Sequence, residues 1–383
     1  MKKFLITSLC IICIAAVLGV GALALSSREI TLIEDLGVPY LEIYGEDRLS
    51  SRLAEDLTVH GGRLYVGGGD YDKNTGPVYV LSYDLENGGW ECSDEPIDDE
   101  QIKRFEIING ELVILGTDPK EDWSLGNYYV LRDGTWETVR EIPNGVHCYD
   151  YEKFNGAGFF GLGVDPGHSP IVRCIGDYYT PVELFREGYA IDTSLLSTVR
   201  VYNLFTYQNE LYAFFTFDRT SDDGVKAHYM DLYKYNGSTF EFVAGTLLSE
   251  DMPEVATSDS AAYFILNDNL LTTENIINFS AIGLTQGAVV TDLIDDDGIV
   301  YVLAWRETGE NDREIMIFEH GEEGFTKKIS FFSDSVAGSF CKDGNSFYIS
   351  LGDRESLSPA NDVGRVIRVS ITNKLMLILD KFL

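Results

Sequence analysis

At 383 residues, with 62 acidic against 29 basic side chains, the chain carries a formal net charge of −33. This argues against nucleic acid or an anionic surface as partner, because phosphate binding draws on clustered Lys and Arg that the sequence lacks. Thirty-seven glycines, ten prolines, 21 Phe and 22 Tyr suit many turns and many strands, and no long helix pattern appears after residue 30.

In chain order, Met1-Lys2-Lys3 gives a positive start to an apolar run from Phe4 to Leu25, and Ala22-Leu23-Ala24 offers a small-x-small cleavage site before Ser26. The run is long for a signal core and just long enough to span a bilayer, so residues 1–25 read as either a signal peptide or a transmembrane anchor. Both readings export the rest of the chain, to a secreted or membrane-anchored location. Cys10 and Cys13 are not lipidation sites, since Leu9 and Ile12 replace the small residue a lipobox needs. Residues 26–50 form a lead-in able to close a ring, and residues 51–383 form one domain.

That domain is repetitive. A tight polar turn runs straight into an apolar strand at Leu64, Leu112, Phe159, Leu211, Leu270, Val300 and Phe347, with a mean spacing of about 47 residues. The period is that of a four-stranded propeller blade, and each turn is read as leading into a blade's second strand. The fold class is therefore all-β, a single β-propeller of seven four-stranded blades. The short interval between Leu270 and Val300 implies a trimmed fifth blade, with a six-bladed ring as the competitor.

Aromatic residues seven apart recur as Tyr83 with Trp90, Tyr129 with Trp136, Tyr233 with Phe240, and Phe318 with Phe325. Each pair brackets small and polar residues, the pattern of a hairpin joining third and fourth strands. Rings there fill the gap between blades, so Trp90 and Trp136 are expected to be largely buried. On these residues the first unit resembles a kelch repeat: Leu64-Tyr65-Val66-Gly67-Gly68 is followed by Tyr83-Asp84-Leu85-Glu86-Asn87-Gly88-Gly89-Trp90. The second unit keeps Gly116, Tyr129 and Trp136 with one glycine. The resemblance implies a kelch-like propeller, similar to the central domain of galactose oxidase, but kelch propellers include interaction modules and an oxidase domain, so no chemistry transfers.

Connections from second to third strands read as long and charged, and in a propeller they share one face with potential for binding. On that face Trp123, Tyr71 and Trp305 are candidate contact rings, and Asp118 and Asp122 are candidate charged contacts. Asp70, Asp72 and Asn74 space three oxygen-bearing side chains as calcium loops do, although the glycine falls one place late and Leu81 stands where a glutamate belongs. Asp295-Asp296-Asp297-Gly298 reads as turn chemistry. Cys92, Cys148, Cys174 and Cys341 follow the leader; export permits a Cys148–Cys174 disulfide, and free buried thiols fit equally. The five histidines are scattered and no catalytic motif is present. Two functions follow: an extracytoplasmic, monomeric binding or scaffolding propeller for a protein or glycan, without cofactor unless calcium binds, or a carbohydrate-active or oxidising enzyme with its site at the ring axis.

Overall fold

The computed structural model describes residues 29–69, 73, 76–196, 198–220, 226–247, 253–309, 312–353 and 357–373. The signal or anchor expectation lies outside these residues. No helix among them is long and apolar enough to cross a membrane.

The chain is a β-propeller. Strand β1 (Glu29–Gly37) comes first, then a sheet of β2 (Asp56–His60), β3 (Arg63–Gly67), β4 (Leu81–Asp84) and β5 (Trp90–Cys92). A second sheet follows, of β6 (Phe105–Ile108), β7 (Glu111–Leu115), β8 (Leu125–Arg132) and β9 (Thr135–Pro143). The next ten strands form one sheet: β10 (His147–Phe154), β11 (Ala157–Val164), β12 (Ile171–Ile175), β13 (Tyr178–Pro181), β14 (Leu184–Arg186), β15 (Tyr189–Ala190), β16 (Val199–Tyr207), β17 (Glu210–Thr220), β18 (Lys226–Tyr235) and β19 (Phe240–Leu247). Two four-stranded sheets come after it. One holds β20 (Glu254–Thr257), β21 (Ala262–Leu266), β22 (Asn269–Thr273) and β23 (Ser280–Ile282), and the other β24 (Val289–Asp296), β25 (Ile299–Gly309), β26 (Asp312–Gly321) and β27 (Gly324–Ser333). The last sheet is β28 (Ala337–Asp343), β29 (Ser346–Leu351) and β30 (Arg365–Asn373), completed by β1. Glu29 faces Asn373 and Ile33 faces Val369, so the two ends of the described chain share one sheet.

Sheet pairing thus gives five four-stranded sheets and a larger curled one, where the sequence led us to expect seven separate blades. The larger sheet arises because β11 outruns its hairpin and pairs with β16 at Gly163–Arg200 and Val164–Val199, and because β14 adds in parallel to β19. The first strands β2, β6, β10, β16, β20, β24 and β28 line the axis. Apolar side chains fill the wedges between sheets: Tyr65, Phe105, Leu112, Ile114 and Tyr129 pack in one, and Phe205, Phe214 and Phe264 in another, with the rings of Phe214 and Phe264 edge to face at 5.4 Å.

Six of the seven anchor residues fall in second strands as read. Leu270 does not: it lies in β22, a third strand, and the Asn267–Asp268 turn before it joins β21 to β22. The preceding first-to-second turn is Ser258-Asp259-Ser260, with Ser258 N–H donating to Ala261 O. That sheet therefore keeps four strands, of 4, 5, 5 and 3 residues, and the Leu270–Val300 interval is short because Leu270 lies one strand later than the other anchors. The aromatic pairs do bracket third-to-fourth hairpins, with Tyr83 opposite Trp90 and their rings at 5.2 Å. Trp90 and Trp136, expected to be largely buried, are half-buried, because each sits on a fourth strand at the circumference, where one ring face meets water. Gly67 and Gly68 are required by close approach, since a Cβ would lie 2.7 Å from Ile102 O and 2.6 Å from Leu53 O respectively. The four cysteines among the described residues are free; β11 lies between Cys148 and Cys174, pairing them with Leu162 and Gly158, which rules out the bridge in this fold.

Candidate functional site

In an antiparallel four-strand blade, the second-to-third connections and the links into each first strand share one face, termed the upper face here. A cavity of about 490 Å³ opens on it at the ring axis. Its walls come from the link Leu53–Asp56, the β21–β22 turn at Asn267 and Asp268, the starts of β24 and β28, and the β29–β30 connection at Gly352, Asp353 and Leu357. A second cavity of about 360 Å³ continues down the axis. Arg104 lines both and so lies across the passage between them.

The first strands supply an acidic lining around that guanidinium. Arg104 Nη1 donates to Asp150 Oδ1 at 2.7 Å and Nη2 to Glu254 Oε2 at 2.8 Å. Three further carboxylate oxygens are used between neighbouring first strands. Asp56 Oδ2 accepts from Phe105 N at 2.6 Å, Asp150 Oδ2 from Leu204 N at 2.6 Å, and Asp292 Oδ2 from Phe340 N at 2.8 Å. In each case a first-strand acid receives the N–H of the next first strand around the ring. β-Bulges at Val201/Asn203 and Ala337/Phe340 fall at the donor strands of Leu204 and Phe340, and bulges at Cys148/Asp150 and Val290/Asp292 fall at two of the acids, while β6 keeps a regular register from Phe105.

Burial dominates the titration of this lining. It pushes Asp56 up to about 7 against the pull of the Phe105 N–H and Arg104, and Asp292 up to about 8, with the charge of Glu254 adding to it. Glu152 is pushed up to about 7, while Glu106, Asp150 and Glu254 are raised, again chiefly by burial. Burial alone would lower Arg104, but Asp150, Glu254, Glu106 and Asp56 together hold it well above its ordinary value. No group of three His, Cys, Asp or Glu among the described residues is arranged to hold a metal ion.

The structure scatters the residues singled out from sequence. Trp123 stands on the β7–β8 connection with 51% of its surface exposed. That connection is tethered by Asp118 N–H to Val146 O at 2.9 Å, Lys120 N–H to Asp98 O at 3.1 Å, and Asp122 Oδ1 accepting from Ser124 N at 2.9 Å. At its root a Cβ on Gly116 would fall 2.1 Å from Asp99 Oδ2. Trp123 is therefore an exposed ring on a held loop. Asp122 is exposed, and its carboxyl is held below the usual range by the Ser124 hydroxyl and N–H. Asp118 turns inward, 3.0 Å from His147 Nε2. Trp305, expected as a rim contact, is only 8% exposed and packs with Leu303, Ile315 and Val336; its remaining edge lines the upper cavity. Asp70, Tyr71, Asp72 and Asn74 lie outside the described residues.

Two of the expected loops are strands. β17 with β18 and β25 with β26 continue as hairpins through Asp218–His228 and Glu307–Arg313. Sequence reading missed the axial set of Asp56, Arg104, Asp150, Asn203, Glu254 and Asp292; the available signal was one polar residue at a fixed distance before each second-strand turn. It also missed a second Asp–His pair, with Asp218 Oδ1 2.5 Å from His228 Nδ1 and Thr198 Oγ1 donating to Asp218 Oδ2. Among the described residues neither histidine is hydrogen-bonded to a serine hydroxyl or a thiol, so neither pair is part of a nucleophile relay.

No protein-family model matches the chain, and neither does any curated protein. Among solved structures it is similar to the β-propeller domain of the trilobed protease from Pyrococcus furiosus, at 8% identity over 83% of this chain and 94% of that one, with a TM-score of 0.48. It is similar too to polysaccharide lyase Uly1, at 8% identity over 85% of this chain and 91% of that one, with a TM-score of 0.46. These likenesses carry no chemistry over to this chain.

Proposed function

We propose that this chain is an extracytoplasmic binding or scaffolding propeller that recognises a protein or glycan through its upper face. The observation that carries the reading is the cavity of about 490 Å³ opening among the second-to-third connections, on the face where Trp123 stands exposed from a tethered loop. A concave apolar and acidic mouth beside a pre-held aromatic is the layout of a recognition surface, since little ordering is needed on binding. The axial carboxylates favour binding over hydrolysis: Asp56, Asp150 and Asp292 each hold a backbone N–H of the next strand, which fixes them as structure.

In the same reading the ten-stranded sheet is two blades fused through β11 and β16, making seven around a kelch-like ring, and the protein acts as a monomer. Calcium at Asp70, Asp72 and Asn74 belongs to this proposal as well. The test is a glycan and protein-array screen followed by affinity measurement with Trp123→Ala and Asp122→Asn variants. Ligands that bind both variants with wild-type affinity and salt dependence would move the site off this face. A second reading, an enzyme at the axis, draws on Asp56 and Asp292 titrating near neutrality inside a cavity, as general acids do. Turnover of any glycoside that is abolished in Asp292→Asn would favour it.

A further inference from the structure

Below Arg104 the axial channel holds acceptors that nothing in the fold satisfies. Glu106 stands two residues beyond Arg104 on β6, and Glu152 two residues beyond Asp150 on β10, so they form a second level about 6.6 Å further along the strands. The upper level has its cation in Arg104. At the lower level Glu106 makes no hydrogen bond or ion pair among the described residues, and Glu152 accepts only from Thr206 Oγ1 at 2.7 Å. Independently of the acids, Asn203 on β16 lines this 360 Å³ cavity at 2% exposure, with Oδ1 left without a partner. A buried amide oxygen without a donor is costly, and native proteins leave few of them.

We propose that the lower channel binds a primary alkylammonium group, its N–H donors directed at Glu106, Glu152 and Asn203 Oδ1. Every unmet group lining this cavity is an acceptor, Glu106 and Glu152 at the lower level and Asn203 Oδ1 on the residue level with Arg104, which selects a ligand that is both donor and cation, and an ammonium offers three donors. A bare divalent ion fits less well, because the described acids form no coordinating group of three. Leu204, Phe205, Val255 and Ala256 give the walls an apolar stretch for the alkyl chain. The ligand competes with protons: burial pushes Glu152 up to about 7 and raises Glu106, with the charge of Asp150 adding to it, so both bind protons more tightly than free carboxylates when the site is empty. The groups facing them are Arg104 just before β6, Asp150 on β10, Asp56 on β2, Asn203 and Thr206 on β16, Thr257 on β20 and Asp295 on β24. Binding therefore releases protons and tightens as pH rises from about 6 to 8.

The same group could come from a free diamine or from a lysine side chain of a protein, so the experiment carries both. The full chain is titrated calorimetrically with 1,4-diaminobutane and with a capped Gly-Lys-Gly peptide, against tetramethylammonium and magnesium chloride at equal ionic strength. Expected are saturable binding of one or both amines, tighter at pH 8 than at pH 6, and a loss of at least about tenfold in each of Glu106→Gln, Glu152→Gln and Asn203→Leu. Glu322→Gln with Glu323→Gln, on the exposed β26–β27 turn, is expected to bind as wild type. Binding of the peptide alone or of the diamine alone identifies the source. Absence of binding by both amines, equal binding of tetramethylammonium or magnesium, or wild-type affinity in Glu106→Gln and Glu152→Gln with unchanged circular dichroism would overturn the proposal. Trp123→Ala leaves this binding unchanged, which separates failure here from failure of the rim reading.

Discussion

Asp150 is the residue on which the axial geometry leans most, and replacing it tests how neighbouring first strands are joined. Its carboxylate pairs with Arg104 at 2.7 Å, accepts Leu204 N at 2.6 Å and Tyr151 N at 2.9 Å, and its side chain is 6% exposed. Asp150→Ala removes one partner of a buried ion pair, a change that costs about 3 to 5 kcal/mol when the remaining charge is left uncompensated. Here Glu254 still holds Arg104 at 2.8 Å, which lowers that figure. The orphaned Leu204 N–H restores about 1 to 3 kcal/mol, so a net loss of about 3 to 5 kcal/mol is expected. Asp150→Asn keeps an oxygen for Leu204 and loses only the charge, so about 1 to 2 kcal/mol is expected. Urea unfolding followed by tryptophan fluorescence and circular dichroism reads both variants against wild type. A midpoint for Asp150→Ala within about 1 kcal/mol of wild type, or equal losses in the two variants, would refute the view that the carboxylate serves as an acceptor for the adjacent strand.

Further expectations concern pH, the outer rings and the thiols. Asp56, Asp99, Glu152 and Asp292 carry folded-state values of about 7 to 8, so between about pH 4 and 8 the folded chain binds more protons than the unfolded one and stability falls as pH rises. Glu314, held at about 2, first by Lys327, acts oppositely and loses its contribution below about pH 4.5. Melting temperature should therefore peak near pH 4 to 5, and Asp292→Asn should flatten its decline toward pH 8; a steady rise from pH 4 to 8 would contradict this. Trp136→Ala should lower stability by about 1 to 2 kcal/mol, less than the loss for a fully buried ring, because Trp136 is half-buried and keeps an edge contact with Tyr65 at 6.1 Å. Trp123→Ala should leave the unfolding midpoint unchanged while weakening any upper-face ligand by about 1 to 3 kcal/mol in a binding titration. Maleimide should label Cys92 in the native state, whereas Cys148 and Cys341, buried and with raised thiol titration, should label only on unfolding.

The repeat was legible because each second strand is buried on both faces and six of the seven are announced by a turn with Asn, Asp, Gln or Gly at positive φ, the exception being Ser258–Ser260 before β21. Leu270 shows the limit of that signal. Asn267 and Asp268 adopt φ of 47° and 62° in a second-to-third turn, with the residue types that first-to-second turns use, so chemistry alone does not say which hairpin is meant. The long hairpins β17–β18 and β25–β26 were read as loops for a related reason. Asp218, His228, Glu307 and Arg313 are polar, yet a strand that extends past the core can carry polar side chains and keep its ladder. The axial lining was hidden by abundance: with 62 acids, the few that face the axis stand out only once the bulges align them. Trp305 was misjudged because the polar residues after it mark the strand's extension past the core, Arg306 on the opposite face and Glu307 beyond the packed part, whereas the indole is the last side chain turned into it.

The pairing of Glu29 with Asn373 also fixes an orientation. β30 descends from the upper face and β1 climbs back to it, so residue 29 and residue 373 leave side by side from the opposite side of the ring. Anything that holds this protein through the segment before Glu29 grips it from beneath, and the mouth at Asp56 and Asp292 then looks away from the attachment. Tethering and access are in this way separated by the thickness of the ring, without any hinge or spacer having to provide the clearance.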